Sequence, residues 1–218
     1  VSRALAALTA NNLRLKEIRI GDIWSDRFLD PDVEKLCAAL NGNSHLQTVD
    51  GSDVGYQHEL SEAGLRRLGA TLADTGVVWV LLPDMDNHDQ NHNGAYPRHI
   101  SPPCFANAIR RLAANDPDLQ ELSLSILHFD MTEPSLENRW LQPLKTALAG
   151  NTVLQKLYIP AAACLSEDGL KSLLAALGAS TVEQCEVQLL RTDMQRRVDE
   201  LISQHVRTRP PRSAACWP

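Results

Sequence analysis

At 218 residues, 44% of them hydrophobic, the chain is long enough for one large domain or two small ones with a sizeable core. A formal net charge of −6 argues against a phosphate-tracking surface, which needs clustered Lys and Arg, so no nucleic-acid partner is expected. No run of about eighteen apolar residues occurs, so no membrane-spanning helix is expected.

From its first residues the chain repeats one phrase: an amphipathic helix, a polar stop, and a short strand with apolar anchors. The first repeat, LAALTANNLRLKEIRI, stops at Asn12 and anchors on Leu15, Ile18 and Ile20. Because it starts at Val rather than Met, already inside a repeat, the chain reads as a trimmed piece of something longer. The second repeat, VEKLCAALNGNSHLQTVDG, stops at Gly42-Asn43 and anchors on Leu46 and Val49, with Gly51 in the third slot. In the third, LSEAGLRRLGATLADTGVVWVLLP, the stop is Thr75-Gly76, and Val78 and Leu81 are the expected anchors.

The fourth repeat, FANAIRRLAANDPDLQELSL, stops at Asn115-Asp116 and anchors on Leu119, Leu122 and Leu124. The fifth, LKTALAGNTVLQKLYI, stops at Gly150-Asn151 and anchors on Leu154, Leu157 and Ile159. The sixth, LSEDGLKSLLAALGASTVEQCEVQL, is the least regular: its marker is Thr181, Val187 and Leu189 fit, and Gln184 occupies an anchor position. Residues 191–206 follow with Met194, Val198, Leu201 and Ile202 at helical spacing, which predicts a capping helix, and 207–218 form a Pro-rich flexible tail.

The local chemistry agrees from repeat to repeat. Asn, Gly or Asp at a stop tolerates the left-handed backbone that ends a helix. Ser61 and Ser166, in LSEAGL and LSEDGL, are expected N-caps, with Leu60 and Leu165 before them as staples. Leu36, Leu40, Leu144 and Leu148 mark the helix faces that pack. Cys37, Cys104, Cys164, Cys185 and Cys216 are scattered singly, the pattern of reduced thiols in a cytosolic setting.

LQTV, LQEL and LQKLYI, each preceded by ALxxN or a variant of it, resemble leucine-rich repeats of the long, helix-containing ribonuclease-inhibitor type over about residues 4–190. The resemblance implies an α/β leucine-rich-repeat solenoid of about six repeats, with a curved parallel sheet on the concave side and helices on the convex side. Tropomodulin-like actin-capping repeats and bacterial effector repeats share this layout. In one respect the chain diverges. The family pattern has Asn or Cys three residues after the last anchor, where this chain has Ile23, Val54, Asp86, Leu127, Ala162 and Thr192, so the buried amide ladder is absent or replaced.

In such a fold the residues between anchors point outward: Glu17 and Arg19, Thr48 and Asp50, Val80 and Leu82, Glu121 and Ser123, Lys156 and Tyr158, Glu186 and Gln188. The third pair is apolar and needs a cover, either a partner or the insertion at 83–103. That insertion, rich in Asp, His, Asn and Pro, is expected to fold back over the strand and offer Tyr96, although a solvated loop without a role would read the same way. His88 and His92 lie near Asp84, Asp86 and Asp89, but no HExxH or EF-hand spacing is met and no metal or other cofactor is expected. Nucleotide-binding and hydrolase motifs are missing, and Cys185, in an outward slot, would be a nucleophile only if the terminal helix brought His205 to it.

The expectation is a monomeric, non-catalytic, cytoplasmic interaction module. It would bind a protein through its concave face, at Trp79, Val80, Leu82, Tyr96, Glu121, Lys156 and Tyr158. The alternative is the substrate-recognition part of a larger bacterial effector, acting in the host cell, or of a ubiquitin-ligase-type enzyme. Its catalytic domain would then lie outside this chain.

Overall fold

The computed structural model describes residues 3–24, 28–51, 60–82, 95–124, 135–159, 166–178, 180–187, 200 and 203. Helices and strands alternate along them: α1 (Arg3–Thr9), β1 (Glu17–Arg19), α2 (Asp30–Leu40), β2 (Thr48–Asp50), α3 (Glu62–Leu72), β3 (Trp79–Leu81), α4 (Ala95–Ala113), β4 (Glu121–Ser123), α5 (Ser135–Ala149), β5 (Lys156–Ile159), α6 (Glu167–Gly178) and β6 (Gln184–Val187). The strands form two three-stranded parallel sheets, each in chain order, β1-β2-β3 and β4-β5-β6. A short strand followed by a helical return is the connection that parallel pairing requires. The division between sheets falls at the longest interval between successive strands, from Trp79 to Glu121. The chain also separates into two compact units, Val1–Arg111 with Ser123–Asp130 and Leu112–Leu122 with Met131–Pro218. The expected capping helix at 191–206 and the tail at 207–218 lie outside the described residues, apart from helical Glu200 and Ser203.

Helix placement follows the sequence closely. Ser61 Oγ accepts from the Gly64 amide and Ser166 Oγ from the Gly169 amide, both at 3.0 Å, so both expected N-caps are present. Val33, Leu36, Cys37 and Leu40 bury one stripe of α2, Leu65, Leu68 and Leu72 one of α3, and Leu144 and Leu148 sit in the buried face of α5. In the first unit these stripes close over Ile18, Ile20, Val49, Val77, Val80 and Leu82 from the strands. Two glycines of α3 are needed for close approach: a methyl at Gly69 would run into the His99 carbonyl of α4, and one at Gly64 into the Asp30 carboxylate of α2. Gly69→Ala is therefore expected to destabilise by about 1–3 kcal/mol despite Ala's better helix propensity, measurable by urea unfolding.

One expectation about the insertion is corrected here. Residues 95–103 are not loop but the first turns of α4, which carries Pro102 and Pro103 within it. Residues 83–94, with His88, His92, Asp84, Asp86 and Asp89, lie outside the described residues.

Left-handed backbone occurs one residue earlier than the marker in the first repeat, at Asn11 (φ 48°), and at Gly42 (φ 75°) and Asn115 (φ 52°) as expected. A buried amide side chain bridges two repeats at the turns that enter β2 and β5. Asn43, 1% exposed, donates Nδ2 to the Leu8 carbonyl at 3.1 Å, while its Oδ1 accepts from the His45 and Leu46 amides at 3.1 and 2.9 Å. Asn151, 2% exposed, repeats the arrangement: Nδ2 to the Leu112 carbonyl at 2.8 Å, Oδ1 from the Val153 and Leu154 amides at 3.0 and 2.7 Å. Of the positions three residues after the last anchor, only Ile23 is among the described residues; Val54, Asp86, Leu127, Ala162 and Thr192 lie outside them.

Candidate functional site

In two repeats the amide is a hydroxyl instead. Thr75 Oγ1 donates to the Leu72 carbonyl and accepts from the Val77 amide; Ser180 Oγ donates to the Leu177 carbonyl and accepts from the Val182 amide. Each hydroxyl on Cβ reaches the amide two residues on, whereas the longer Asn43 and Asn151 side chains also reach the third. The strand begins four residues after Thr75 and Ser180 but five after Asn12, Asn43, Asp116 and Asn151. Helix α4 adds further donors to the bend at Thr75. Asn107 Nδ2 meets the Leu72 and Val77 carbonyls at 2.7 and 2.9 Å, and buried Arg111 meets the Gly76 carbonyl at 2.8 Å.

The missing residue reverses the strand faces assigned to the third repeat, because side chains alternate with period two. Val80 pairs with Val49 and is wholly buried, Leu82 is 1% exposed, and Val77 is the first anchor. Val80 and Leu82 are core residues and leave the proposed patch; Val78 and Leu81 are not the anchors. Trp79 stays on the outward face, half-buried beside Thr48, and Leu81 joins it beside Asp50. Both also pack against the edge of the core. The outward row of this sheet is completed by Glu17 and Arg19, an exposed ion pair at 3.4 Å.

In the sixth repeat Val187 faces in and Glu186 out as expected, but the bend marker is Ser180 rather than Thr181, and Gln184 and Cys185 exchange faces. Cys185 pairs with Leu157 and is an inward anchor between Val182 and Val187, while Gln184 and Glu186 face out opposite Lys156 and Tyr158. Burial pushes the thiols of Cys104 and Cys185 up to about 12 and raises that of Cys37, so none of these described cysteines is a thiolate nucleophile near neutral pH. A thiol whose folded pKa is raised adds stability below the ordinary value of 9.0, and that stability is lost as pH rises through the folded value. Stability is therefore expected to decline from about pH 9 toward pH 12, and native-state alkylation of Cys104 and Cys185 at pH 8 should run at least tenfold slower than in urea.

Of the expected partner-binding residues, Glu121, Lys156 and Tyr158 come together on the second sheet. Lys156 Nζ forms an exposed ion pair with Glu121, and Tyr158 is half-buried next to Glu186. Trp79 belongs to the first sheet. Tyr96 is a residue of α4. Gln188 and His205 lie outside the described residues.

These features define an α/β protein with two small parallel sheets, each presenting a mostly polar outward row around one or two large half-buried side chains. No protein-family model and no curated protein sequence matches the chain. Among the described residues no helix is long and apolar enough to cross a membrane, and no group of three or more His, Cys, Asp or Glu is placed to hold a metal ion.

Proposed function

We propose that the chain is a divergent leucine-rich-repeat solenoid of the ribonuclease-inhibitor-like type, acting as a non-catalytic module that binds a protein partner across its strand face. The observation that carries the reading is the make-up of the outward rows. Trp79 and Leu81 are bordered by Thr48 and Asp50 on one sheet, and Tyr158 by Lys156, Glu121 and Glu186 on the other. Large side chains in a polar rim are what protein interfaces use. The free, buried thiols of Cys37 and Cys104 support a reducing, cytoplasmic setting and a structural rather than chemical use of cysteine. Neither a cofactor nor a nucleic-acid or membrane partner is part of the reading, and the module acts as a monomer.

A photoreactive amino acid placed at position 79 or 158 and activated in cells tests this directly. Discrete protein adducts, identified by mass spectrometry, are expected at both positions. A matched probe at Arg66, exposed on a helix, should give none of them. Equal labelling at all three positions would refute the strand face as the binding surface.

A further inference from the structure

One junction between successive repeats in each compact unit, β1 to β2 and β4 to β5, is held by the same set of bonds. In the first, Asn43 Nδ2 meets the Leu8 carbonyl, the Ser44 amide meets Asn11 Oδ1, and the Gln47 and Thr48 amides share the Lys16 carbonyl. In the second, Asn151 Nδ2 meets the Leu112 carbonyl, the Thr152 amide meets Asn115 Oδ1, and the Gln155 and Lys156 amides share the Gln120 carbonyl. Each following repeat thus offers an amide side chain and backbone N–H groups. The preceding repeat offers a helix-end carbonyl, a left-handed Asn and a strand-entry carbonyl.

The first repeat carries the donor half of this set on an edge strand. Among the described residues β1 ends the order of its sheet. Asn12 occupies the slot of Asn43 and Asn151, and its Oδ1 already accepts from the Arg14 amide at 3.0 Å, as theirs do from His45 and Val153. An Asn holding its turn this way directs Nδ2 out of its own repeat, toward the helix end of the one before. Yet Asn12 is exposed, in contrast to its buried counterparts, and Leu13 in the slot of Ser44 and Thr152 is 65% exposed. Leu5 and Leu15 beside them are only partly buried.

We infer that the β1 edge is a docking surface for one further helix–turn–strand repeat, whose helix-end carbonyl would accept from Asn12 Nδ2 and whose apolar helix would cover Leu13. The occupant is specified by continuity: the repeat-to-repeat interface seen twice in the chain is here half assembled, with matched donors and an uncovered leucine. This inference rests on the stacked-repeat reading above.

Hydrogen exchange on the full chain, with and without a second copy of residues 28–59 fused ahead of Val1, tests it. In the unextended chain the Ser44 and Thr48 amides are expected to be protected and the Leu13 and Glu17 amides to exchange at least tenfold faster. In the extended chain Leu13 and Glu17 should slow by at least tenfold. Asn12→Asp, which keeps the acceptor to Arg14 and removes the donor, should cancel that slowing while leaving the unextended chain's pattern unchanged. If Ser44 and Thr48 are unprotected in the unextended chain, the stacked-repeat reading itself fails. If they are protected but Leu13 and Glu17 do not respond to the added repeat, or respond equally with Asp at position 12, the docking inference alone is overturned.

Discussion

Replacing Leu82 by Ala is expected to lower the free energy of unfolding by about 2–5 kcal/mol, while the same change at its neighbour Leu81 lowers it by about 1 kcal/mol. The two residues have the same chemistry and adjacent positions, so the contrast reports only which face of the strand each occupies. Leu82 is almost fully buried, within the cluster that includes Val49, Val77 and Val80, and truncating it leaves a cavity its neighbours fill only in part. Leu81 stands opposite Asp50 on the outward face and loses only the contact it makes at the margin of the core. Urea denaturation followed by circular dichroism gives both values. Equal losses, or a larger loss at Leu81, would show that the strand register is wrong by one residue.

Asn43→Ala should cost about 2–4 kcal/mol in the same measurement, although only a few atoms are removed. The side chain serves three backbone groups at once, the Leu8 carbonyl and the His45 and Leu46 amides, in a site closed to water. Alanine leaves those groups without a partner, and each buried group abandoned this way costs about 1–3 kcal/mol, partly recovered by relaxation. Asn43→Asp separates the two functions: the acceptor is kept, but a carboxylate oxygen now faces the Leu8 carbonyl where a donor stood. It should therefore be at least as damaging as alanine at pH 7. By contrast, Lys156→Ala, which breaks an exposed ion pair with Glu121, should shift stability by less than about 1 kcal/mol.

Much of this architecture can be read directly from the residues. Ser61 and Ser166 announce their helices because a hydroxyl followed by an acidic residue and an apolar run has few other uses. Leu36, Leu40, Leu144 and Leu148 announce their buried faces through spacing alone. The strand faces of the first, second, fourth and fifth repeats also follow, because an Asn or Asp marker lies three residues ahead of the first anchor in each: Leu15, Leu46, Leu119 and Leu154.

The misreadings have a common physical origin. In VVWVLL every residue is apolar, so no alternation distinguishes inside from outside, and the register has to be borrowed from the other repeats. Thr75 and Ser180 each shorten their bend by a residue, so a borrowed register puts Val80, Leu82 and Cys185 on the wrong face. The signal that corrects this is the side-chain length at the marker. Asn107 and Arg111 escape a sequence reading because they sit on a helix, where polar residues ordinarily face solvent, and only the folded chain reveals the carbonyls they serve.

The exchange of Asn for Thr or Ser together with a one-residue contraction gives this backbone a local way to absorb deletions. A codon lost from one bend need not misalign later strands, provided the anchoring side chain there shortens with it. Either change made alone would strand an amide or leave slack chain. Tolerance to insertions and deletions along this polypeptide should therefore follow the chemistry of six bend positions, Asn12, Asn43, Thr75, Asp116, Asn151 and Ser180, rather than the length of its surface links.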